Sequence, residues 1–131
     1  MIGYEIDYKE CKENFKDQLD LDGSRVKIHT GTSTEDLKLA KKVIANDEVL
    51  KIIHYRNRDK IEYYTIIYTD DIGKIIIDGG LTSGYIGGGT SAFKTLLVHL
   101  GIDGNEAENV VQKQNNAFDI AKIEVNFSRK N

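Results

Sequence analysis

The stretch VLKIIHYRNRDKIEYYTIIYTDDIGKIIID, residues 49–78, decides the fold class. Val49–Arg56 and Ile61–Thr69 are rich in Ile and Tyr, a strand composition, and Asn57-Arg-Asp-Lys60 between them reads as a hairpin turn. Asp70-Asp-Ile-Gly73 reads as a second hairpin loop, with Gly73 suited to positive φ, and Lys74–Asp78 as a third strand. In the middle segment Ile61, Tyr63, Thr65 and Ile67 share one face, and Glu62, Tyr64, Ile66 and Tyr68 the other. Neither face is clearly polar, so this strand is expected to be central. Short hairpins join antiparallel strands, so the segment predicts a β-meander.

Working outward, the next residues are Gly79–Gly89, GGLTSGYIGGG, in which six of eleven are glycine and none is charged. Phe93, Leu96, Leu97 and Leu100 then fall at helical spacing, and Gly101 marks the end of that helix. Asn105-Glu-Ala-Glu108 opens a shorter helix carried by Val110, Val111 and Gln114. Lys122–Ser128 alternates, with Ile123, Val125 and Phe127 on one face, and is expected to be a half-buried edge strand. Upstream, Thr32-Ser-Thr-Glu35 forms a capping box before the apolar stripe Leu37, Ala40, Val43 and Ile44, and Val26–Thr30 reads as a short strand. Asp7-Tyr-Lys-Glu10 also has the form of a capping box, and Tyr8, Cys11, Phe15 and Leu19 recur at helical spacing. A first helix is therefore expected at about 8–19. The predicted order is α-β-α-β-β-β-loop-α-α-β. The expected fold is α+β: an antiparallel β-meander sheet with helices packed mainly on one face, a single domain over residues 1–131.

Composition bounds the function. The chain has 18 basic and 21 acidic residues and a net charge of −3, which gives no basic stripe for a nucleic-acid polymer. No apolar run is long enough to span a bilayer, and the N-terminus lacks a signal-peptide pattern, so no membrane association and a cytoplasmic location are expected. One cysteine excludes an internal disulfide and fits a reducing compartment. The abundance of Ile, Lys, Asn and Tyr, whose codons are rich in A and T, points to a low-GC bacterium or its phage.

The chemistry concentrates at the glycine-rich loop. A helix start leaves backbone N–H groups unpaired and carries partial positive charge. The helices expected near Asp7, Thr32 and Asn105 answer with an acid in the first turn, whereas the helix after the loop has no acid before Asp103 and places Lys94 near its start. Such a start suits an external anion, with Gly87, Gly88, Gly89, Thr90 and Ser91 as donors. Tyr85 at the apex is suited to stack on a ring. Asp78, at the exit of its strand, is placed to accept a ribose hydroxyl. Arg56, with Arg58 and Lys60 around the first hairpin, is a further phosphate contact. The loop nearly matches two phosphate-binding fingerprints and fails both. A Walker A reading of Gly84–Ser91 has Thr90 where the lysine belongs, and a dinucleotide reading at Gly87, Gly89 and Ala92 lacks the adjoining parallel strand.

Other candidates are weaker. His29, His54 and His99 have no ligand-type spacing, so no metal and no cofactor are expected. Cys11 is expected in the core. Asp20-Leu-Asp-Gly23 resembles the opening of a calcium loop without its closing Glu. No nucleophile elbow is present. The expected function is non-catalytic binding, including sequestration, of a small phosphorylated, nucleotide-like ligand through residues 79–91. One alternative is a protein-interaction module, such as an inhibitor or immunity protein, using the loop tip. Another is a small enzyme with Asp78 as general base. Both leave room for a homo-oligomer, and the glycines would then serve close packing against a helix or a second subunit.

Overall fold

The computed structural model describes residues 2–11, 23–84, 87–113 and 118–129. Within them the chain runs β1 (Ile2–Glu10), β2 (Val26–Ile28), α1 (Ser33–Val43), β3 (Val49–Asn57), β4 (Glu62–Thr69), β5 (Lys74–Asp78), α2 (Gly88–His99) and α3 (Gly104–Glu108). A π-helical turn (Asn109–Lys113) and β6 (Ile120–Arg129) follow. The six strands form one sheet in the order β1-β6-β3-β4-β5-β2.

The β3-β4-β5 meander forms as its sequence requires, antiparallel throughout, with Gly73 at φ +94° in the second hairpin. The sheet as a whole is mixed, because β2 pairs parallel to β5 with Ile28 opposite Ile77. That corrects the purely antiparallel expectation. A three-residue strand carries almost no register information of its own. Its direction is set by α1, which returns the chain to the far end of the sheet before β3.

Two further expectations are corrected. The N-terminal element is a strand. Tyr4, Ile6 and Tyr8 alternate with Glu5, Asp7 and Lys9 at period two, and β1 pairs with β6 over its whole length. This alternation overrides the capping-box pattern at Asp7–Glu10. The rest of the helix expected at about 8–19 lies outside the described residues, as does the start of the calcium-loop resemblance. β6 is consequently an interior strand between β1 and β3, and β1 forms the edge. Cys11, just past the end of β1, is only partly buried. Burial still raises its thiol pKa, against the opposing pull of Lys122 and Lys9.

One face of the sheet carries the core. Ile52, Ile67, Ile75, Ile77, Ile28, Ile123 and Val125 meet Ala40 of α1 and Ile44 just past its end, Phe93, Leu96 and Leu97 of α2, and Val110 and Val111 of the π turn. Each large side chain so buried contributes roughly 1.5–3 kcal/mol. The two helices also pack on each other. Because Ile28 and Ile77 are in register, the connections leaving β2 and β5 start side by side, and both lead directly into a helix. The glycine-rich segment is one of these two connections.

Ile61, in the β3–β4 hairpin, is a β-branched residue at φ +53° and 80% exposed. The left-handed region costs an L-residue about 1–2 kcal/mol, and Asn tolerates it best after glycine. Ile61→Asn is expected to stabilise the protein by about 1 kcal/mol in urea unfolding. Gly84→Ala is expected to destabilise it by about 2–4 kcal/mol. Gly84 sits at φ +85°, and its new Cβ would lie 2.8 Å from Cζ of Arg56.

Candidate functional site

The first half of the glycine-rich segment is packed rather than open. Gly80, Leu81, Thr82, Ser83 and Gly84 are all buried. Three glycines face polar side chains at distances that leave no room for a Cβ. At Gly80 it would stand 2.6 Å from Cγ of Asp36, at Gly84 it would overlap the Arg56 guanidinium, and at Gly89 it would stand 2.6 Å from Oγ1 of Thr82. The segment is anchored further by Gly84 N–H donating to the Val111 carbonyl at 2.8 Å and Thr82 N–H donating to the Gly89 carbonyl at 3.1 Å. Val111 lies in the π turn, so the loop is tied to that element.

At the second half, α2 begins without a cap. Gly87 is the N-cap and offers no side-chain hydrogen bond, and the first turn contains no acid. The other two described helices differ. Thr32 caps α1 by accepting from Glu35 N–H, and Asp103 caps α3 by accepting from Asn105 and Glu106 N–H. Gly88 and Ser91 are exposed at the α2 start, while Gly89 and Thr90 are buried. The Thr90 hydroxyl is turned inward to Thr82 Oγ1 at 3.0 Å. Ser91 N–H makes the first intrahelical bond, to the Gly87 carbonyl. This leaves the Gly88, Gly89 and Thr90 amides as the uncapped group, with the Ser91 side chain beside them.

Two sequence candidates are placed elsewhere. Lys94 falls in the second turn of α2 and pairs with Glu108 of α3 at 2.9 Å, so it fastens one helix to the next. Arg56 is withdrawn from the hairpin tip. It is fully buried against Gly84 and donates to the Phe118 carbonyl. Burial, and then the neighbouring Arg58, lower its pKa from the ordinary arginine value, while the same burial raises that of the nearby Tyr8 phenol. Arg58 bridges the Gly84 carbonyl at 2.8 Å and Asp119 at 3.0 Å. The two arginines thus frame the floor of the loop. Tyr85 lies outside the described residues.

Asp78 stands at the end of β5, 3.9 Å from Lys27, and its backbone carbonyl accepts from His29 Nδ1 at 2.9 Å. A cavity of about 140 Å³ opens here between the β2–α1 and β5–α2 connections, lined by His29, Ser33, Asp36, Asp78, Gly79 and Gly80 among others. Asp36 was not singled out from the sequence, and His29 was weighed there only as a metal ligand. Asp36 nevertheless carried a signal: it precedes Ala40 by four residues, so it is an acid on the stripe that α1 buries. Among the described residues no three carboxylate, imidazole or thiol groups converge to hold a metal ion.

A second polar group lies inside the core. His54 Nε2 is 3.0 Å from Ser83 Oγ, its Nδ1 is 2.8 Å from Thr65 Oγ1, and its ring stacks on Phe93 at 4.3 Å. The Ser83–His54 distance is that of a nucleophile and its base, but all three polar residues are fully buried. Burial, with a contribution from the Arg56 charge, pushes the His54 pKa down to about 3. A base so weak, with a threonine where a carboxylate would orient it, cannot activate a serine near neutral pH. This triad holds the loop to β3 and β4.

Comparison with protein-family models, curated proteins and solved structures finds no match to this chain. Among the described residues no helix is long and apolar enough to cross a membrane.

The His54 environment predicts an acid dependence. The unfolded chain binds the His54 proton below pH 6.5 and the folded chain only near pH 3, so between these values the unfolded form carries more protons. The stabilisation is complete above that window and is lost by about 1.4 kcal/mol per pH unit as the pH falls through it. Urea unfolding between pH 6.5 and 4 is expected to show His54→Gln losing less stability than the parent, by a margin that widens toward acid. Parallel curves would contradict this account of His54.

Proposed function

We propose that this protein captures a small phosphorylated, nucleotide-like ligand at the start of α2, in the cytoplasm, without turning it over. The observation that carries this reading is the uncapped helix start. Gly87 offers no side-chain acceptor, the first turn holds no acid, and Gly88 and Ser91 are open to solvent, whereas α1 and α3 are capped by their own side chains. An anion placed there takes the uncapped amides and the positive pole together. The direct contacts are assigned to Gly87, Gly88, the amides of Gly89 and Thr90, and Ser91. Lys94 and Arg56 act at a distance, the first through its pair with Glu108 and the second from beneath Gly84. Capture is favoured over turnover because the Ser83–His54 pair is sealed in the core.

Substitution at Gly88 tests this directly, because a Cβ there meets nothing within 4 Å. Gly88→Asp supplies the missing negative charge from the chain itself. It is expected to raise stability by about 0.3–1 kcal/mol and to abolish the thermal stabilisation that phosphate, pyrophosphate and nucleotides give the parent. Lys94→Ala is expected to weaken that stabilisation only slightly. The reading fails if no phosphorylated compound shifts the melting temperature of the parent, or if Gly88→Asp responds as the parent does.

A further inference from the structure

We propose that the open edge of β1, with the groove beside it, takes an extended protein segment in which apolar and basic residues alternate. This surface shares no residue with the start of α2 and does not depend on the phosphate reading. β1 is nine residues long, contains no proline and pairs with β6 in one unbroken register. β2, at the opposite edge of the sheet, has only three residues. β1 ends the sheet on its own side, so one row of its backbone groups is left for a further strand.

The register fixes which groups these are. Cys11 N–H donates to the Ile120 carbonyl at 3.0 Å, so the two residues form a hydrogen-bonded pair. In an antiparallel ladder such pairs alternate. Glu5, Asp7 and Lys9 therefore bond to β6, while Tyr4, Ile6 and Tyr8 turn their N–H and C=O groups outward. Among the described residues nothing bonds to these outward groups. A cavity of about 480 Å³ adjoins the same backbone, lined by Ile6, Asp7, Tyr8, Glu106, Asn109 and Val110. Consecutive strand residues point to opposite faces, so a cavity touched by three in a row meets the strand at its edge. The Tyr4 hydroxyl accepts from Asp103 N–H at 3.2 Å, which ties β1 to the capping residue of α3. The volume lies within the ~300–1,000 Å³ of pockets that enclose a small ligand, and so admits a large apolar side chain beside Ile6 and Val110.

The two faces of β1 select the sequence of the guest. On the core side Ile6, Tyr8 and Val110 call for apolar side chains. On the other face Glu5 and Asp7 stand opposite Asn126 and Glu124 of β6, so the ladder supplies no cation directly across from them. Lys9 reaches Asp7 along the strand at 3.7 Å, but both side chains are more than half exposed and such a pair contributes little. Glu106 adds a further acid at the groove. A lysine or arginine opposite Asp7 on an added strand meets this surplus. A second copy of β1 does not, because it brings Glu5, Asp7 and Glu10 to the same line against one Lys9. Main-chain hydrogen bonds give the affinity of such an added strand, and its alternating side chains give the specificity.

Amide hydrogen exchange followed by NMR on the whole protein tests this, with three end-blocked hexapeptides as probes. The first alternates lysine with leucine. The second has glutamate in place of each lysine. The third keeps the lysine–leucine sequence but is N-methylated at every amide, so it cannot donate to a strand. The lysine peptide at saturation is expected to slow exchange of the Ile6 and Tyr8 amides at least about tenfold, and to leave the Glu5, Asp7 and Lys9 amides, already bonded to β6, unchanged. The glutamate and N-methylated peptides are expected to bind at least about tenfold more weakly than the first. Asp7→Lys is expected to remove the preference for lysine over glutamate, and the three peptides on the parent decide the matter where that variant does not fold. Equal binding of the lysine and N-methylated peptides overturns the proposal, as do Ile6 and Tyr8 amides that exchange equally fast with and without the lysine peptide. A dimer in sedimentation without peptide, with those amides already protected, overturns it in favour of a second copy.

Discussion

Three polar side chains press against three glycines, and the arrangement of the site depends on this close approach. Asp36 lies against Gly80, Arg56 against Gly84 and Thr82 against Gly89. None of the three pairs leaves space for a Cβ, so the glycines are required by contact distance, and only Gly84 also needs its left-handed backbone. The consequence is a loop fixed to α1 through Asp36, to β3 through Arg56 and to the start of α2 through Thr82. A glycine-rich segment that would be costly to order on its own is ordered by its neighbours.

The same contacts explain why so much polarity is tolerated in the interior. His54, Thr65 and Ser83 sit across two central strands and the loop, beside a core of Ile, Leu, Val, Ala and Phe. Each imidazole nitrogen has a hydroxyl partner, so the desolvation cost of the ring is offset by hydrogen bonds and by stacking on Phe93. An apolar residue at position 83 would leave the imidazole without one of these partners. The network therefore specifies where the loop lies as well as contributing to stability.

The meander was legible in the sequence because hairpin turns and Ile/Tyr-rich runs are local signals. Helices α1, α2 and α3 were legible from their apolar stripes and, in α1, from the capping box. The parallel pairing of β2 with β5 was not, since it joins segments far apart in sequence through only three residues. β1 was misread because Tyr8 and Cys11 satisfy a helical spacing while Tyr4, Ile6 and Tyr8 satisfy a strand spacing, and only the β6 partner decides between them. For the site, the uncapped start of α2 was visible as a missing acid. The roles of Lys94 and Arg56 were not visible, because the first depends on Glu108 from α3 and the second on being covered by Gly84. Asp36 and His54 share a different signature, a titratable residue on a stripe or in a run that is otherwise apolar.

The placement of β6 has a consequence for how the molecule is made. It follows every other described strand in the sequence, yet it lies between β1 and β3. During synthesis the meander can close early from its own hairpins, but the N-terminal strand has no partner until the final strand leaves the ribosome and slots between them. Until then β3 presents an unzipped border and β1 trails as a lone ribbon, both open to mispairing with other nascent chains. Completion of the sheet is thus a single late event that joins the two ends of the described chain.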